Sequence, residues 1–273
     1  MLRERITITI KHDVVDKLDA LIDGQKIRNR SNAIETIVLD YFKKGALKKA
    51  VLLSGSRGIK VNGKVIAKVL LPLKGKTLLE KNIETLKNFG ITEIAIAASE
   101  WTADIKKLFG DGKKLGVAIK YYDKKKDGTA SVLSYMQKNS NETFFMANGD
   151  ILLDNVDISD MYDFHKKNKG LATMGIVVIS DPTDLGSVAM KGDKIISFKE
   201  KPSALKYKSH LINGGVYILE QEACELVENY FSMMEQDVFP RLAEEGQLFG
   251  YQLGKEWIHL HDEKAYQKYS SNN

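Results

Sequence analysis

The chain has 273 residues, 43% of them hydrophobic and 28% charged, with a formal net charge of +5. No apolar run approaches the roughly 20 residues of a membrane-spanning helix, Thr7 and Thr9 interrupt the isoleucines where a signal peptide would carry its apolar core, and Cys224 is a lone cysteine that cannot form an intrachain disulfide. A soluble protein of the reducing cytoplasm, with no membrane partner, is the expectation.

The length allows one large domain or a small one joined to a larger one. Residues 1–49 hold eleven Lys/Arg against seven Asp/Glu, a charge of +4, which leaves +1 for the rest of the chain. A phosphate-bearing partner is therefore expected at the N-terminal piece, although solvated surfaces often carry such an excess.

Residues 5–11, Arg-Ile-Thr-Ile-Thr-Ile-Lys, alternate apolar and polar side chains. The period of two predicts a strand with Ile6, Ile8 and Ile10 on its buried face and Arg5, Thr7, Thr9 and Lys11 on the other. From Asp13 the period lengthens, and Val14, Val15, Leu18, Leu21 and Ile22 predict a helix ended by Gly24. Ser31 is the expected N-cap of a second helix, with Ile34, Ile37, Val38 and Tyr41 on its apolar face. One strand and two short helices bury too little to stand alone, so this piece is expected to pair with a second copy through the strand.

Strand, helix, helix with a basic turn resembles the ribbon-helix-helix DNA-binding family. The resemblance implies a homodimer on double-stranded DNA. Arg5, Thr7 and Thr9 would face base edges, Arg3 and Lys11 would lie near the groove walls, and Ser31 and Asn32 would hold a backbone phosphate. His12 stands where that family often has a proline. A dimerisation arm with no DNA role is the alternative. A short lysine-rich link comes next, giving expected domains of 1–45 and 46–273.

An apolar run over 50–53 leads into Ser54-Gly55-Ser56-Arg57-Gly58, with lysines at 60, 64 and 68 beyond it. A strand ending in a glycine-rich turn gathers free backbone N–H groups that can cradle a phosphate, and nearby lysines add mobile charge. The same residues suit an ordinary tight turn with solvated lysines, and the spacing matches neither the P-loop nor the dinucleotide fingerprint. Beyond the turn, apolar runs over 50–53, 93–98, 117–121 and 143–147 alternate with helical patterns over 78–89, 103–109, 129–136 and 161–167. That alternation predicts a largely parallel sheet covered by helices, with ligands at the carboxyl ends of the strands. Later runs over 172–179, 187–190, 194–198 and 215–219 predict a mixed sheet or an added layer on the substrate side.

Asn148-Gly149-Asp150 puts a carboxylate at a strand end, a place for Mg²⁺ against phosphate oxygens, though also for a helix cap or turn. Asp127-Gly128-Thr129-Ala130 has the composition of a capped turn, and Phe198-Lys199-Glu200-Lys201-Pro202 that of a solvated loop. His259 and His261, two apart in Trp257-Ile258-His259-Leu260-His261, can share one side of a strand. They suit a metal softer than Mg²⁺, or simple packing.

In this order the motifs resemble those of the sugar-phosphate nucleotidyltransferases, over nearly all of residues 49–269. Leu53 to Val61 is similar to that family's L-A-G-G-x-G-T-R-L, Ala67 to Glu80 to its P-K-P-L-L-P-v-x-G-K-P-L-L-E, and residues 148–150 to its N-G-D. The resemblance implies a Rossmann-like, GT-A-like α/β domain with a mostly parallel mixed sheet. Leu53, Gly55, Ser56, Gly58 and Lys60 would hold a nucleoside triphosphate, Lys68 its α-phosphate, and Gly128 and Thr129 the base. Asp150 would bind Mg²⁺ or Mn²⁺. Gly186, Glu200, Lys201 and Asn213 would take the sugar and its phosphate. Ser56, Ile59 and Lys60 depart from the family's Gly, Thr and Arg, and His259 stands where the family has its second metal-binding aspartate. The combined expectation is a DNA-binding regulator fused to a nucleotidyltransferase-type domain that binds an NTP or nucleotide-sugar and transfers a nucleotidyl group to a sugar 1-phosphate. The alternatives are a nucleotide-sugar sensor without turnover and a plain transferase whose arm only dimerises.

Overall fold

The computed structural model describes residues 5–43, 47–55, 57–98, 100–123, 133, 136, 142–180, 186–200, 209–226, 233–254 and 256–271. The chain divides into two compact units, Met1–Ala46 and Leu47–Asn273.

The first unit carries helices α1 (His12–Asp19) and α2 (Arg30–Lys43). The helix expected to run to Gly24 stops at Asp19, because the Asp23 carboxylate accepts from the N–H groups of Gln25 and Ile27, both at 2.8 Å, and closes a turn instead. Asn29, not Ser31, caps α2: its side-chain oxygen accepts from Asn32 N at 2.9 Å, so Ser31 lies inside the first turn. The strand expected over 5–11 is not formed. Those residues carry no regular secondary structure, and Ile6 is 74% exposed. A strand needs a neighbour to satisfy its backbone, and the described part of this unit offers two helices and no second strand. Leu18 and Ala33 are buried, and the Arg30 guanidinium forks onto Asp19 through two hydrogen bonds of 2.6 Å, tying α2 to α1.

The second unit contains strands β1 (Lys49–Leu53), β2 (Gly58–Val61), β3 (Lys64–Ala67), β4 (Pro72–Leu73), β5 (Lys76–Thr77), β6 (Glu93–Ala98), β7 (Ala118–Asp123), β8 (Phe144–Asn148), β9 (Ile151–Leu152), β10 (Ala172–Val178), β11 (Ser187–Lys191), β12 (Lys194–Lys199), β13 (Leu211–Leu219), β14 (Leu248–Gln252) and β15 (Ile258–His259). Its helices are α3 (Leu78–Phe89), α4 (Thr102–Phe109), α5 (Ile158–Asn168), α6 (Phe239–Glu244) and α7 (Glu263–Ser271). The helix expected over 129–136 lies outside the described residues, apart from the buried side chains of Leu133 and Met136.

Among the described residues nine strands form one mixed sheet in the order β10-β14-β12-β11-β13-β8-β1-β6-β7. The β8, β1, β6, β7 segment is parallel, as the alternating pattern predicts, and β13 joins it antiparallel to β8. Along β1, Ala50 and Leu52 enter the core on one face while Val51 and Leu53 enter the core on the other. β6 and β8 divide their side chains in the same way. Burial on both faces is why these strands read as continuous apolar runs. α3 begins at Thr77, whose hydroxyl accepts from Glu80 N, and ends at Gly90 with φ +110°.

A buried polar network pins the sheet end remote from these strands' carboxyl termini. The fully buried His165 ring bridges Thr173 Oγ1 at 2.9 Å and Glu220 Oε1 at 3.2 Å. Lys166 Nζ donates to Glu220 and Thr143, and Thr143 Oγ1 donates to Glu220 Oε2 at 2.6 Å. Cys224 is buried, and burial foremost pushes its thiol up to about 12, so it is inert. No helix among the described residues is long and apolar enough to cross a membrane.

The network makes stability depend on pH. The His165 hydrogen bond foremost, helped by Lys166 and Thr143 and opposed by burial, lowers Glu220 from the ordinary 4.5 to about 2. The folded value lies below the unfolded one, so this stabilisation is complete above 4.5 and drains away as pH falls toward 2. Urea titrations stepped downward from about pH 6 should show wild type losing stability faster than Glu220→Gln below the carboxylate range. Parallel loss in the two proteins would show that Glu220 does not carry it.

Candidate active site

The turn after β1 is fixed by its neighbours. Leu53 O accepts from Gly149 N at 2.9 Å, and Ser54 N donates to Ala97 O at 2.8 Å. Beneath it, Ser54 Oγ is buried with no hydrogen-bond partner among the described residues. Gly55 is exposed, with nothing within 4 Å of where a Cβ would stand. Gly58 has a different reason to be glycine: a Cβ there would come 2.7 Å from Ile66 O and 2.9 Å from the Trp101 ring. From Gly58 the chain enters a hairpin of β2 and β3 around Asn62-Gly63, at φ +50° and +79°. This is the Asn-Gly signal of a tight hairpin turn, legible in the sequence but absent from the expectation. The hairpin buries Ile59 and leaves Lys60 exposed. The 3₁₀ turn at Lys68–Leu70 then returns Lys68 to the sheet.

Asp150 sits at the centre. Gly149 before it is forced by close approach, since a Cβ would lie 2.5 Å from Val69 Cγ1. Asp150 O accepts from Leu260 N at 2.8 Å, and β15 pairs with β9 so that His259 lies opposite Ile151. From α3 the buried amide of Asn82 closes the other side: Nδ2 donates to Ile151 O at 2.8 Å and Oδ1 accepts from Leu153 N at 3.0 Å. The carboxylate faces two basic groups. Lys68 Nζ donates to Oδ2 at 2.9 Å, and His259 Nε2 lies 3.4 Å from the same oxygen. Burial works to raise the Asp150 carboxyl, but the His259 ring and then the Lys68 ammonium outweigh it and hold it well below the ordinary carboxylate range.

These groups line a cleft of about 1330 Å³. Of the positions expected to bind or react, it brings together Lys68, Asp150, Gly186, Glu200, Asn213 and His259. Glu200 packs against Gly186, where a Cβ would meet Glu200 Oε2 at 2.9 Å. The Asn213 amide is engaged within the chain: Nδ2 donates to Tyr217 Oη at 2.8 Å and Oδ1 accepts from Gly215 N at 2.9 Å. Leu53, Gly55, Gly58 and Lys60 do not line this cleft, whereas Arg57 does. Ser56, Gly128, Thr129, Lys201 and Arg3 lie outside the described residues. In the first unit, Arg5, Thr7, Thr9, Lys11 and Ser31 are exposed and Asn32 is half-buried. The sequence reading missed Arg57, Glu235, Glu256, Trp257 and Lys268 on the cleft walls. Of these, the indole of Trp257, donating to Gly214 O at 2.9 Å, had the clearest signal, because it heads the motif that carries His259.

His259 and His261 share a wall as expected, with ring centroids 4.8 Å apart. His261 turns toward Asp262, at 3.4 Å. Among the described residues no group of three or more His, Cys, Asp or Glu is placed to hold a metal.

The family profile described as Nucleotidyl transferase matches residues 49–270, and the chain belongs to that family. Among curated relatives, it is 28% identical over 228 residues to the mannose-1-phosphate guanyltransferase beta-B of Xenopus laevis, covering 80% of this chain and 62% of that protein. It is also 28% identical over 227 residues to the mannose-1-phosphate guanylyltransferase catalytic subunit beta of Dictyostelium discoideum, again covering 62% of the relative. The chain thus spans about three-fifths of the length of these relatives. Among solved structures, a putative glucose-1-phosphate thymidylyltransferase from Bacillus anthracis has a TM-score of 0.70 at 21% identity, covering 82% of this chain and 94% of that one. HddC from Yersinia pseudotuberculosis complexed with GMP-PN has a TM-score of 0.67 at 19% identity, covering 83% and 99%. These likenesses establish the fold of the second unit, an α/β nucleotidyltransferase fold with a mixed sheet.

The Asn82 clamp is directly testable. Asn82→Leu removes a donor and an acceptor from two buried backbone groups and should cost on the order of 2 kcal/mol or more in denaturant unfolding. Asn82→Asp keeps the acceptor but sets a carboxylate oxygen against Ile151 O at a fully buried site, and should cost at least as much. Equal stability in all three proteins would mean that the clamp contributes nothing.

Proposed function

We propose that the second unit transfers a nucleotidyl group from a nucleoside triphosphate to a sugar 1-phosphate. A phosphate oxygen of the sugar 1-phosphate forms a bond to the α-phosphorus. The bond from that phosphorus to the bridging oxygen breaks, and pyrophosphate leaves with the electron pair. The observation that carries this reading is the part-buried Lys68–Asp150 pair, 2.9 Å long, on the wall of the cleft that also holds Gly186, Glu200 and Asn213. Chemistry of this kind needs positioning and charge neutralisation more than covalent help. In this scheme Lys68 exchanges its carboxylate for the α-phosphate, Arg57 reaches the phosphate chain from the β1 turn, and Glu200 accepts hydrogen bonds from sugar hydroxyls.

A divalent ion, when bound, supplies charge neutralisation on the phosphates. The donor set suits an ion that takes few protein ligands. Asp150 offers one carboxylate, which is enough for Mg²⁺ when water and phosphate oxygens complete its shell, and the His259 imidazole shifts the preference toward Mn²⁺. The names of the curated relatives make GTP and mannose 1-phosphate the first pair to assay.

A second reading concerns the first unit and rests on Ile6 and Ile8, left 74% and 49% exposed in the single chain. Pairing residues 5–11 with a second copy would cover them and turn Arg5, Thr7 and Thr9 outward, the ribbon-helix-helix arrangement on DNA. The whole protein would then be a DNA-binding regulator joined to a transferase-type domain, with nucleotide occupancy and DNA affinity linked reciprocally.

Pyrophosphate release should be seen with an NTP and a sugar 1-phosphate in the presence of Mn²⁺ or Mg²⁺, and Asp150→Ala should abolish it. If no pair reacts while nucleotides still raise the thermal midpoint, the second unit is a sensor and not a transferase. Salt-sensitive binding to duplex DNA should be lost in the Arg5→Ala, Thr7→Ala double variant. Indifference to that change removes the ribbon.

A further inference from the structure

The π-helix Met234–Val238 delivers a carboxylate to the sugar side of the cleft that the sequence motifs do not include. One-turn π-helices recur at functional sites, where they re-aim a side chain at some cost to regular hydrogen bonding. Here Met234 and Val238 are buried, and Met233 N donates to Asp237 Oδ2 at 2.6 Å to close the turn. Glu235, between the two buried anchors, lines the cleft with Gly186, Glu200 and Asn213.

The position of the turn is fixed by a wedge. Phe239, directly after the π-helix and fully buried, stacks on Tyr217 at 4.8 Å and meets Phe198 edge-on at 5.7 Å. Phe198 lies on β12, whose end carries Glu200, and Tyr217 lies on β13, where its hydroxyl accepts from Asn213 Nδ2. One aromatic ring therefore sets Glu235 relative to both strands that bear the expected sugar-binding groups. Two carboxylates and an amide share one wall. The negative charges of Glu235 and Glu200 both reach the Tyr217 phenol, which burial foremost and then Glu235 hold well above its ordinary value.

We propose that Glu235 is a specificity-determining residue of the sugar subsite, accepting hydrogen bonds from the ring hydroxyls of a 1-phosphate of an uncharged hexose alongside Glu200. The proposal rests on the transferase reading and adds a residue and a substrate class to it. A carboxylate is an acceptor with two oxygens, suited to a pair of neighbouring hydroxyls, and it has no hydrogen to donate to an acyl oxygen. The wall thus selects free vicinal hydroxyls over acylated or deoxygenated carbons. A site built to hydrogen-bond a hydroxyl penalises the analogue that lacks it, because an acceptor shut off from water by the sugar loses its donor.

The test crosses the residue with the substrate. Wild type, Glu235→Gln and Glu235→Ala are assayed with the best hexose 1-phosphate and with its 2-, 3-, 4- and 6-deoxy analogues. At the one or two hydroxyls that Glu235 reads, wild type should lose about 10- to 100-fold in kcat/KM on deoxygenation. Glu235→Ala should lose a similar factor on the intact sugar and almost nothing further on the same deoxy analogue. KM for the NTP should stay within about two-fold, because Glu235 is assigned to the sugar and not to the phosphates. Glu235→Gln preserves the shape of the turn and guards against a folding artefact in the alanine variant. A variant that turns over every analogue in the wild-type proportions overturns the proposal and leaves the transferase reading standing. If wild type turns over no pair at all, the transferase reading fails. Calorimetric titration of the same hexose 1-phosphates then decides the residue: binding weakened selectively by Glu235→Gln sustains it, and absence of binding by wild type overturns it.

Discussion

The second unit is organised around a carboxylate withdrawn from water. Asp150 and Lys68 are 18% and 15% exposed at their side chains. Removing Lys68 would leave His259 as the basic neighbour of the carboxylate, and removing Asp150 would take the carboxylate from both. Such a charge stays ionised when its partners are fixed before substrate arrives, and here each partner comes from a different part of the chain. Lys68 arrives on the 3₁₀ turn after the β2–β3 hairpin, and His259 on the short β15 strand. The backbone around Asp150 is held from three directions: by Leu53 through Gly149, by Leu260, and by Asn82 from α3. The site exists because the sheet brings the end of β8 beside the end of β1.

That placement follows from the strand order. β1 lies between β6 and β8 with all three parallel, so the turn after Leu53 and the turn after Asn148 open on the same edge. β13 runs antiparallel beside β8 and brings Asn213, Gly214 and Gly215 to the cleft. Gly175 and Gly214 leave no room for side chains where β10 and β13 meet, since each Cβ would come within 2.5 to 2.7 Å of a neighbour. The close packing of those strands lets one wall carry Gly186, Glu200 and Asn213 without a separate domain.

How much of this was legible depended on whether a feature is local. The apolar runs of β1, β6 and β8 are buried on both faces and declare themselves by composition alone, and the helix over 78–89 matches its pattern from Leu78 to Phe89. Asp150, Glu200 and Asn213 line the cleft, and each stands out in the sequence because it sits in a short motif in or beside a strand. Lys60 was expected at the phosphates because it follows the glycine turn in sequence, but strand alternation in the hairpin leaves it exposed while Ile59 goes in. Ser31 has the chemistry of a cap, yet Asn29 reached the free N–H groups first, and sequence alone does not rank two adjacent capping residues. The strand over 5–11 could not form within one chain, because half of its hydrogen bonds belong to a neighbour. Glu235 had no signal at all. Its position depends on the aromatic packing of Phe239 between Phe198 and Tyr217, residues close in space and far apart in sequence.

The charge of the cleft runs against that of the chain. The protein as a whole is basic, at +5, yet among the described residues on the cleft walls Asp150, Asp154, Glu200, Glu235, Glu256 and Asp262 outnumber Arg57, Lys68 and Lys268. A bare triphosphate entering a pocket of that sign is repelled, and the low dielectric of the walls strengthens the repulsion. For the transfer proposed above, a nucleotide already carrying a divalent ion would meet less repulsion from these carboxylates than the bare polyanion. His259 fits the same logic. With an imidazole in place of a second carboxylate, the centre of the cleft carries one negative charge fewer, and Asp150 is held ionised by the chain's own groups before any ion arrives. In the proposed transfer the carboxylates of Glu200 and Glu235 would act as acceptors for sugar hydroxyls, while the phosphate of the sugar would need Lys68, Arg57 or a divalent ion to offset its charge.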